Sequence, residues 1–176
     1  MRRSIFILLA AALPLGAQQQ QAAVNTSTVA NAKSLFAMSH RNVLRAAEQV
    51  PESLYSFKPT PEVRSFGQIV GHVADAERMF CASATGTQPS GLGAEKMATK
   101  AEIVKALKDG GTGCDAAYAQ SDADAQTPVS LFGMSGSRLW VLNFNAAHAM
   151  EHYGNLVTYM RIKGMVPPST ERAQQP

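Results

Sequence analysis

The chain has 176 residues, 45% of them hydrophobic and 16% charged, enough to bury the core of one domain and short for two. Its formal charge is +3, but two of its 16 basic residues, Arg2 and Arg3, fall in a leader-like N-terminus. Cleavage after Ala17 would leave 159 residues and a balance of 14 − 13 = +1, which, with no basic patch elsewhere, argues against nucleic acid as a partner.

Arg2 and Arg3, the apolar run 5–15 and the small residue Ala17 read as a secretory signal peptide over 1–17. The run is too short to span a bilayer, and no later stretch is apolar enough to anchor there. An exported protein, periplasmic or secreted, is therefore expected, with no membrane contact once the leader is gone. Residues 18–24 are a Gln-rich spacer expected to be disordered, residues 25–169 form the folded unit, and 170–176 are expected as a disordered tail.

The first helix is expected from about Asn25. Val29, Leu35/Phe36, Val43/Leu44 and Ala47 recur every three or four residues until Pro51 ends the pattern. The three prolines of PESLYSFKPTPEVRS (51–65) predict an ordered loop pinned by Leu54, Tyr55 and Phe57. Ser65-Phe66-Gly67-Gln68 is a capping box that opens the second helix. Its apolar side carries Phe66, Ile69, Val70, Val73, Ala76 and Phe80. A glycine- and proline-containing connection covers 86–98. Thr99-Lys100-Ala101-Glu102 is another capping box and starts the third helix, which Gly110, Gly111 and Gly113 should weaken, with a kink or a restart at Thr112. A polar loop covers 122–136, with a strand pattern only near 129–132. The fourth helix is expected over about 137–163, stopped by Gly164 and by Pro167-Pro168. Four amphipathic helices in one small chain predict an all-α four-helix bundle.

The fourth helix carries HAMEHYG (148–154). Residues four apart share a helix face, so Val141, Phe144/Asn145, His148, His152, Leu156 and Tyr159 form one mostly apolar stripe. Two neutral imidazoles at i and i+4 can chelate one divalent ion; hydrogen-bonded core histidines are the bland alternative. His72 shifts the balance, because it lies among Ile69, Val73 and Ala76 on the inward side of the second helix. Three inward imidazoles on two helices are costly unless ligated or paired, and bundles build metal sites from facing helices. Three protein ligands leave a fourth position for water or substrate. His40 falls outside this geometry and reads as a surface or core-edge residue. The H-x-x-E-H spacing also occurs in inverted zinc proteases, but those need a further acidic ligand well downstream. Here the only acid after His152 is Glu171. Glu151 reads more simply as an outer partner of a ligand or as a polar residue on the next helix face.

Two stretches, YSFKPTPEVRSFGQIVGHVADAE (55–77) and HAMEHYGNLVTYMRIKGMVPPS (148–169), resemble the DinB-like superfamily of four-helix-bundle metalloproteins, particularly its secreted bacterial members. The resemblance runs from about residue 30 to 169. It implies a metal triad of one histidine on the second helix and an H-x-x-x-H pair on the fourth, which fall on His72, His148 and His152. It also implies a divalent transition metal, zinc or nickel, and pairing into homodimers. Relatives include transferases and isomerases that use low-molecular-weight thiols, and the open metal position would bind such a thiol and present it as thiolate. The expectation is thus an exported metalloprotein acting on a small molecule, as a thiol-dependent transferase or a metal-dependent hydrolase. The alternative is a non-catalytic metal-binding or structural protein.

In an oxidising compartment Cys81 and Cys114 become a candidate disulfide. Each lies 15 or 16 residues past its helix cap, so both sit at nearly one height, about 23 Å from the helix starts. They meet if the second and third helices run parallel, joined by a crossover that 86–98 is long enough to make. Cys81 is too far along its helix from His72 to act as a nucleophile with it. Among the remaining motif residues, Glu62 and Arg64 are expected to pair, Gly154 to permit close helix approach, and Tyr153 to reach a neighbour with its hydroxyl. Tyr159 is expected in the core or at the mouth of the site, Arg161 on the C-terminal loop, and Trp140 in packing.

Overall fold

The computed structural model describes residues 26–173; the expected signal peptide and spacer lie outside the described residues. The helices are α1 (Thr28–Gln49), α2 (Phe66–Thr85), α3 (Lys100–Gly113), α4 (Arg138–Ile162) and a short α5 (Pro168–Ala173). One antiparallel hairpin of β1 (Pro128–Leu131) and β2 (Met134–Ser137) precedes α4. The all-α bundle expected from the sequence is the observed architecture.

Each start is chemically marked. The Ser27 hydroxyl accepts from the Ala30 N–H, and Asp122 arrives from the loop after α3 to accept from the Thr28 and Val29 N–H groups. Both capping boxes form as the sequence indicates, Ser65 with Gln68 and Thr99 with Glu102. Gly164 ends the fourth helix at φ 71°. The hairpin turn uses Phe132 and Gly133, both at positive φ (54° and 76°), as a two-residue connection requires. The sequence showed only its first strand, because the MSGS of β2 lacks any β-branched or alternating signature.

α4 packs between α1 and α2, α3 lies on the far side of α2, and α3 closes the ring against α1. Gly67 faces Ile103, Gly110 faces Ala74, and the Cys81–Cys114 disulfide joins the far ends (Cα–Cα 5.1 Å). α2 and α3 therefore run parallel, and 86–99 is the crossover between them. The core falls into two apolar clusters, one around Val43, Val70, Leu107 and Leu156 and the other around Phe36, Phe80, Tyr118 and Leu142. Ser39, Asn42, Glu77 and Asn145 are buried with them, Asn145 lying inside the second cluster against Cys81, Cys114 and Tyr118.

Several expectations are corrected. α3 neither kinks nor restarts at its glycines. Gly110 and Gly111 are there for clearance: a Cβ at Gly111 would lie 2.5 Å from the His40 ring, and one at Gly110 3.1 Å from the Ala74 carbonyl oxygen. Gly154 is the reverse case. It is exposed, and a Cβ there would meet nothing within 4 Å, so it does not mediate close helix approach. Of the tail expected to be disordered over 170–176, residues 174–176 lie outside the described residues, and residues 170–173 instead continue α5. Glu171 ties it back to α1 through Arg45 (3.1 Å) and Gln49 (3.0 Å). Arg161 and Tyr153 hold the same segment through Thr170 (3.0 Å) and Ser169 (2.9 Å).

Candidate metal centre

On the seam between α2 and α4 the structure brings together His72, His148 and His152. The helical register does this: His148 and His152 are one turn apart on α4, and the antiparallel α2 presents His72 opposite them. His148 Nε2 lies 3.2 Å from His72 Nε2 and 3.1 Å from His152 Nε2. Phe80 and Phe144 back the His148 ring, with centroids at 5.3 and 6.5 Å.

These distances test whether an ion fits. Tetrahedral ligation with Zn–N bonds of about 2.0–2.1 Å places ligand nitrogens about 3.3–3.4 Å apart, close to the two distances that His148 makes, and the ligating atoms of all three rings lie within 4.8 Å of one another. Without a cation, His148 Nε2 faces two like nitrogens, and a neutral imidazole nitrogen offers either one N–H or one lone pair. It cannot satisfy both contacts well, whereas a cation would take three lone pairs at once.

The electrostatics favour the neutral, ligating form. Burial disfavours the cation at every ring, and close neighbours add to it. His148 is pulled down to about 4, first by burial and then by His152, His72 and Arg64. His152 is lowered by burial and by His72. His72 is lowered by burial and Arg64, against the opposing pull of Glu95. The outer nitrogens differ. His72 Nδ1 lies 3.3 Å from Glu95 Oε2, whereas His152 Nδ1 is buried with no hydrogen-bond partner among the described residues.

An open cavity of about 610 Å³ adjoins the cluster, with His152, Glu95, Arg64, Glu151, Asn155 and Tyr159 in its walls. Tyr159 serves both expected roles, 6% exposed and on that wall, its hydroxyl donating to the Arg64 carbonyl (2.9 Å). The expected Glu62–Arg64 pair does not form. Arg64 Nε reaches Glu95 Oε1 instead (2.9 Å), and Glu62 turns to Thr60. Glu151 is exposed and lines the cavity. His40 lies away from the cluster, its Nδ1 2.9 and 3.0 Å from the two carboxylate oxygens of the fully buried Glu77.

Glu95 and Glu77 are the residues that sequence reasoning missed. Glu95 sits in the crossover, and only the path of that loop brings it to α2. Glu77 was legible as an acid on the apolar side of the second helix, one residue after Ala76, in a position that demands a partner.

Fold and cluster together define a class: a helical-bundle protein whose three converging histidines could hold a metal ion beside an open cavity. The chain belongs to the DinB superfamily, whose family model matches residues 35–156. Its fold is similar to that of a DinB-like protein from Bacillus cereus, seen in a crystal structure, with a TM-score of 0.64 at 16% identity. The match covers 79% of this chain and 95% of that one. No curated protein matches the chain.

Proposed function

We propose that this is an exported metal-dependent enzyme that holds a divalent transition ion, zinc or nickel, on His72, His148 and His152 and acts on a small molecule. The observation that carries the reading is the convergence of three imidazoles, with His72 Nε2 and His152 Nε2 at 3.2 and 3.1 Å from His148 Nε2, beside a cavity of about 610 Å³, a size that suits a small-molecule ligand. Bound there, the ion supplies Lewis acidity that brings a coordinated water or low-molecular-weight thiol to its anionic form near neutral pH. The chain's own part is to keep three imidazoles neutral and converged, with Phe80 and Phe144 shielding one side. The polar groups of Glu151, Asn155 and Arg64 face the ligand space on the other.

The N-terminal leader pattern and the Cys81–Cys114 disulfide support export, since disulfides persist in oxidising compartments. Pairing with a second copy is supported by the exposed apolar side chains of Leu35, Met38 and Met150 around a shallow groove between α1 and α4; light scattering checks it. The central test is elemental analysis of protein purified from an oxidising compartment, beside the variant with all three histidines changed to alanine. About one ion per chain in the first and none in the folded second is expected. Equal metal content in the two refutes the site. An activity screen with and without added thiols then separates transferase from hydrolase.

A further inference from the structure

His72 is the one ligand whose outer nitrogen has a carboxylate, and that carboxylate is held in an unusual way. Glu95 belongs to a 3-10 turn, Ala94–Lys96, in the middle of the crossover from α2 to α3. The turn rests directly on α2. At Gly71, next to His72, a Cβ would fall 2.4 Å from the Ala94 carbonyl oxygen and 2.7 Å from the Glu95 Cα. One turn further along, on the same side, the Asp75 carboxylate takes the backbone N–H groups of Gly93 and Ala94 at 2.9 Å each, and that of Glu95 at 3.2 Å. Backbone N–H groups bonded to a carboxylate are charge-assisted and stronger than ordinary loop contacts.

The turn is thus fixed to α2 on both sides of His72, by contact at Gly71 and by three hydrogen bonds at Asp75. From that seat the Glu95 carboxylate splits its two oxygens. Oε1 accepts from Arg64 Nε at 2.9 Å, and Oε2 lies 3.3 Å from His72 Nδ1. Arg64 is itself anchored at the end of the 51–65 loop, where its carbonyl accepts from Tyr159 of α4.

We propose that Glu95 is the positioning residue of the metal centre. Held by Arg64 on one side and by Asp75 through the turn's backbone on the other, it keeps the His72 proton on Nδ1 and aims Nε2 at the site. This rests on the metal-centre reading above. The physical basis is general: a carboxylate on the outer N–H of a ligating imidazole fixes tautomer and ring orientation and raises ligand basicity, and its removal typically costs about 10–100-fold in metal affinity. His152 has no such partner, so the site is asymmetric, with the α2 ligand held and an α4 ligand free to adjust.

The test is a zinc titration against a chromophoric chelator, with wild type, Glu95→Gln, Glu95→Ala, Asp75→Ala and Glu62→Gln, together with the thermal midpoint of each metal-free protein. Glu62→Gln removes an equal charge from the wall of the same cavity, at an exposed residue that bonds to Thr60 and not to an imidazole. The expected result is a loss of about ten-fold or more in zinc affinity for both Glu95 variants. Asp75→Ala moves the same way, and Glu62→Gln stays within about two-fold of wild type. Glu95→Gln keeps the metal-free midpoint, because its amide oxygen still accepts from Arg64. Cobalt substitution gives a second readout, since a reoriented His72 alters the visible ligand-field spectrum of the Glu95 variants. Wild-type-like affinity in both Glu95 variants overturns the proposal while leaving the metal centre standing. Equal losses in Glu95→Gln and Glu62→Gln also overturn it, reducing the effect to bulk charge. A folded wild type that takes no zinc removes the metal centre and this inference together.

Discussion

Two glycines within helices should respond to alanine in opposite directions. At Gly71 a Cβ would stand 2.4 Å from the Ala94 oxygen and 2.6 Å from its carbon. Ordinary contact needs about 3.5 Å, so the crossover turn must retreat by about 1 Å. Overpacking of this kind costs about 1–3 kcal/mol. The retreat also stretches three hydrogen bonds to Asp75, each worth about 1.5 kcal/mol or more as a charged contact. Against this, alanine in a helix interior returns about 1 kcal/mol. With those bonds stretched but kept, so that together they lose about 1 kcal/mol of their worth, the sum is a net loss of about 2 kcal/mol. At Gly154 the same substitution meets nothing within 4 Å, so only the propensity gain of up to about 1 kcal/mol remains.

For a chain of this size each kcal/mol moves the thermal midpoint by about 2–4 °C. Gly71→Ala should therefore melt about 4–8 °C below wild type and Gly154→Ala slightly above it, with urea midpoints moving in parallel at constant m. Zinc affinity separates the two further: it falls in Gly71→Ala, because Glu95 moves with the turn, and holds in Gly154→Ala. A Gly71→Ala protein as stable as Gly154→Ala would show that the turn does not rest on α2, and the seat argued for Glu95 would go with it.

Three further outcomes are expected. The Cys81–Cys114 link spans 33 residues, and the chain-entropy relation puts its contribution at about 3.7 kcal/mol. Urea denaturation with and without reductant reads this directly, and identical midpoints would refute it. His40→Ala strips the buried Glu77 of its partner, a change that costs about 3–5 kcal/mol for buried pairs; a loss below about 1 kcal/mol in the same assay would mean the pair is dispensable. The histidine cluster sets a pH dependence. All three folded-state pKa values lie below the ordinary 6.5, His148 at about 4, so below pH 6.5 the unfolded chain takes up protons that the folded one refuses. Stability of the metal-free protein should hold above about pH 6.5 and fall between there and about pH 4. The triple histidine-to-alanine variant should lose that component of the slope, and equal slopes in the two proteins would refute the assignment.

The parts of this molecule legible in its sequence are those set by local chemistry. Ser65-x-x-Gln68 and Thr99-x-x-Glu102 mark helix starts because the caps are satisfied within four residues. The i, i+4 spacing of His148 and His152 shares a face by helical geometry alone. The illegible parts depend on distant segments. Gly110 and Gly111 look like helix breakers until His40 and Ala74 are seen filling the space they leave. Arg64 has a carboxylate two residues away at Glu62, yet the turn there gives Glu62 to Thr60 and Glu95 captures Arg64. The MSGS strand forms because the Phe132-Gly133 turn folds it back on its partner, not through any preference of its own.

The crossover shows why the two kinds of information meet at the site. Placing α2 and α3 parallel obliges the chain to return along the length of α2 before α3 can begin. That return must cross the level of His72, and a loop passing so close to a helix needs a helix position without a side chain and a way to satisfy its own N–H groups. Gly71 supplies the first and Asp75 the second. Once those two conditions are met, Glu95 is delivered to the outer face of His72 with no further requirement on the fold. A segment that topology needs only as a connector thereby becomes a wall of the cavity and sets a carboxylate against the His72 imidazole. Shortening it should therefore disturb metal affinity before it disturbs the bundle.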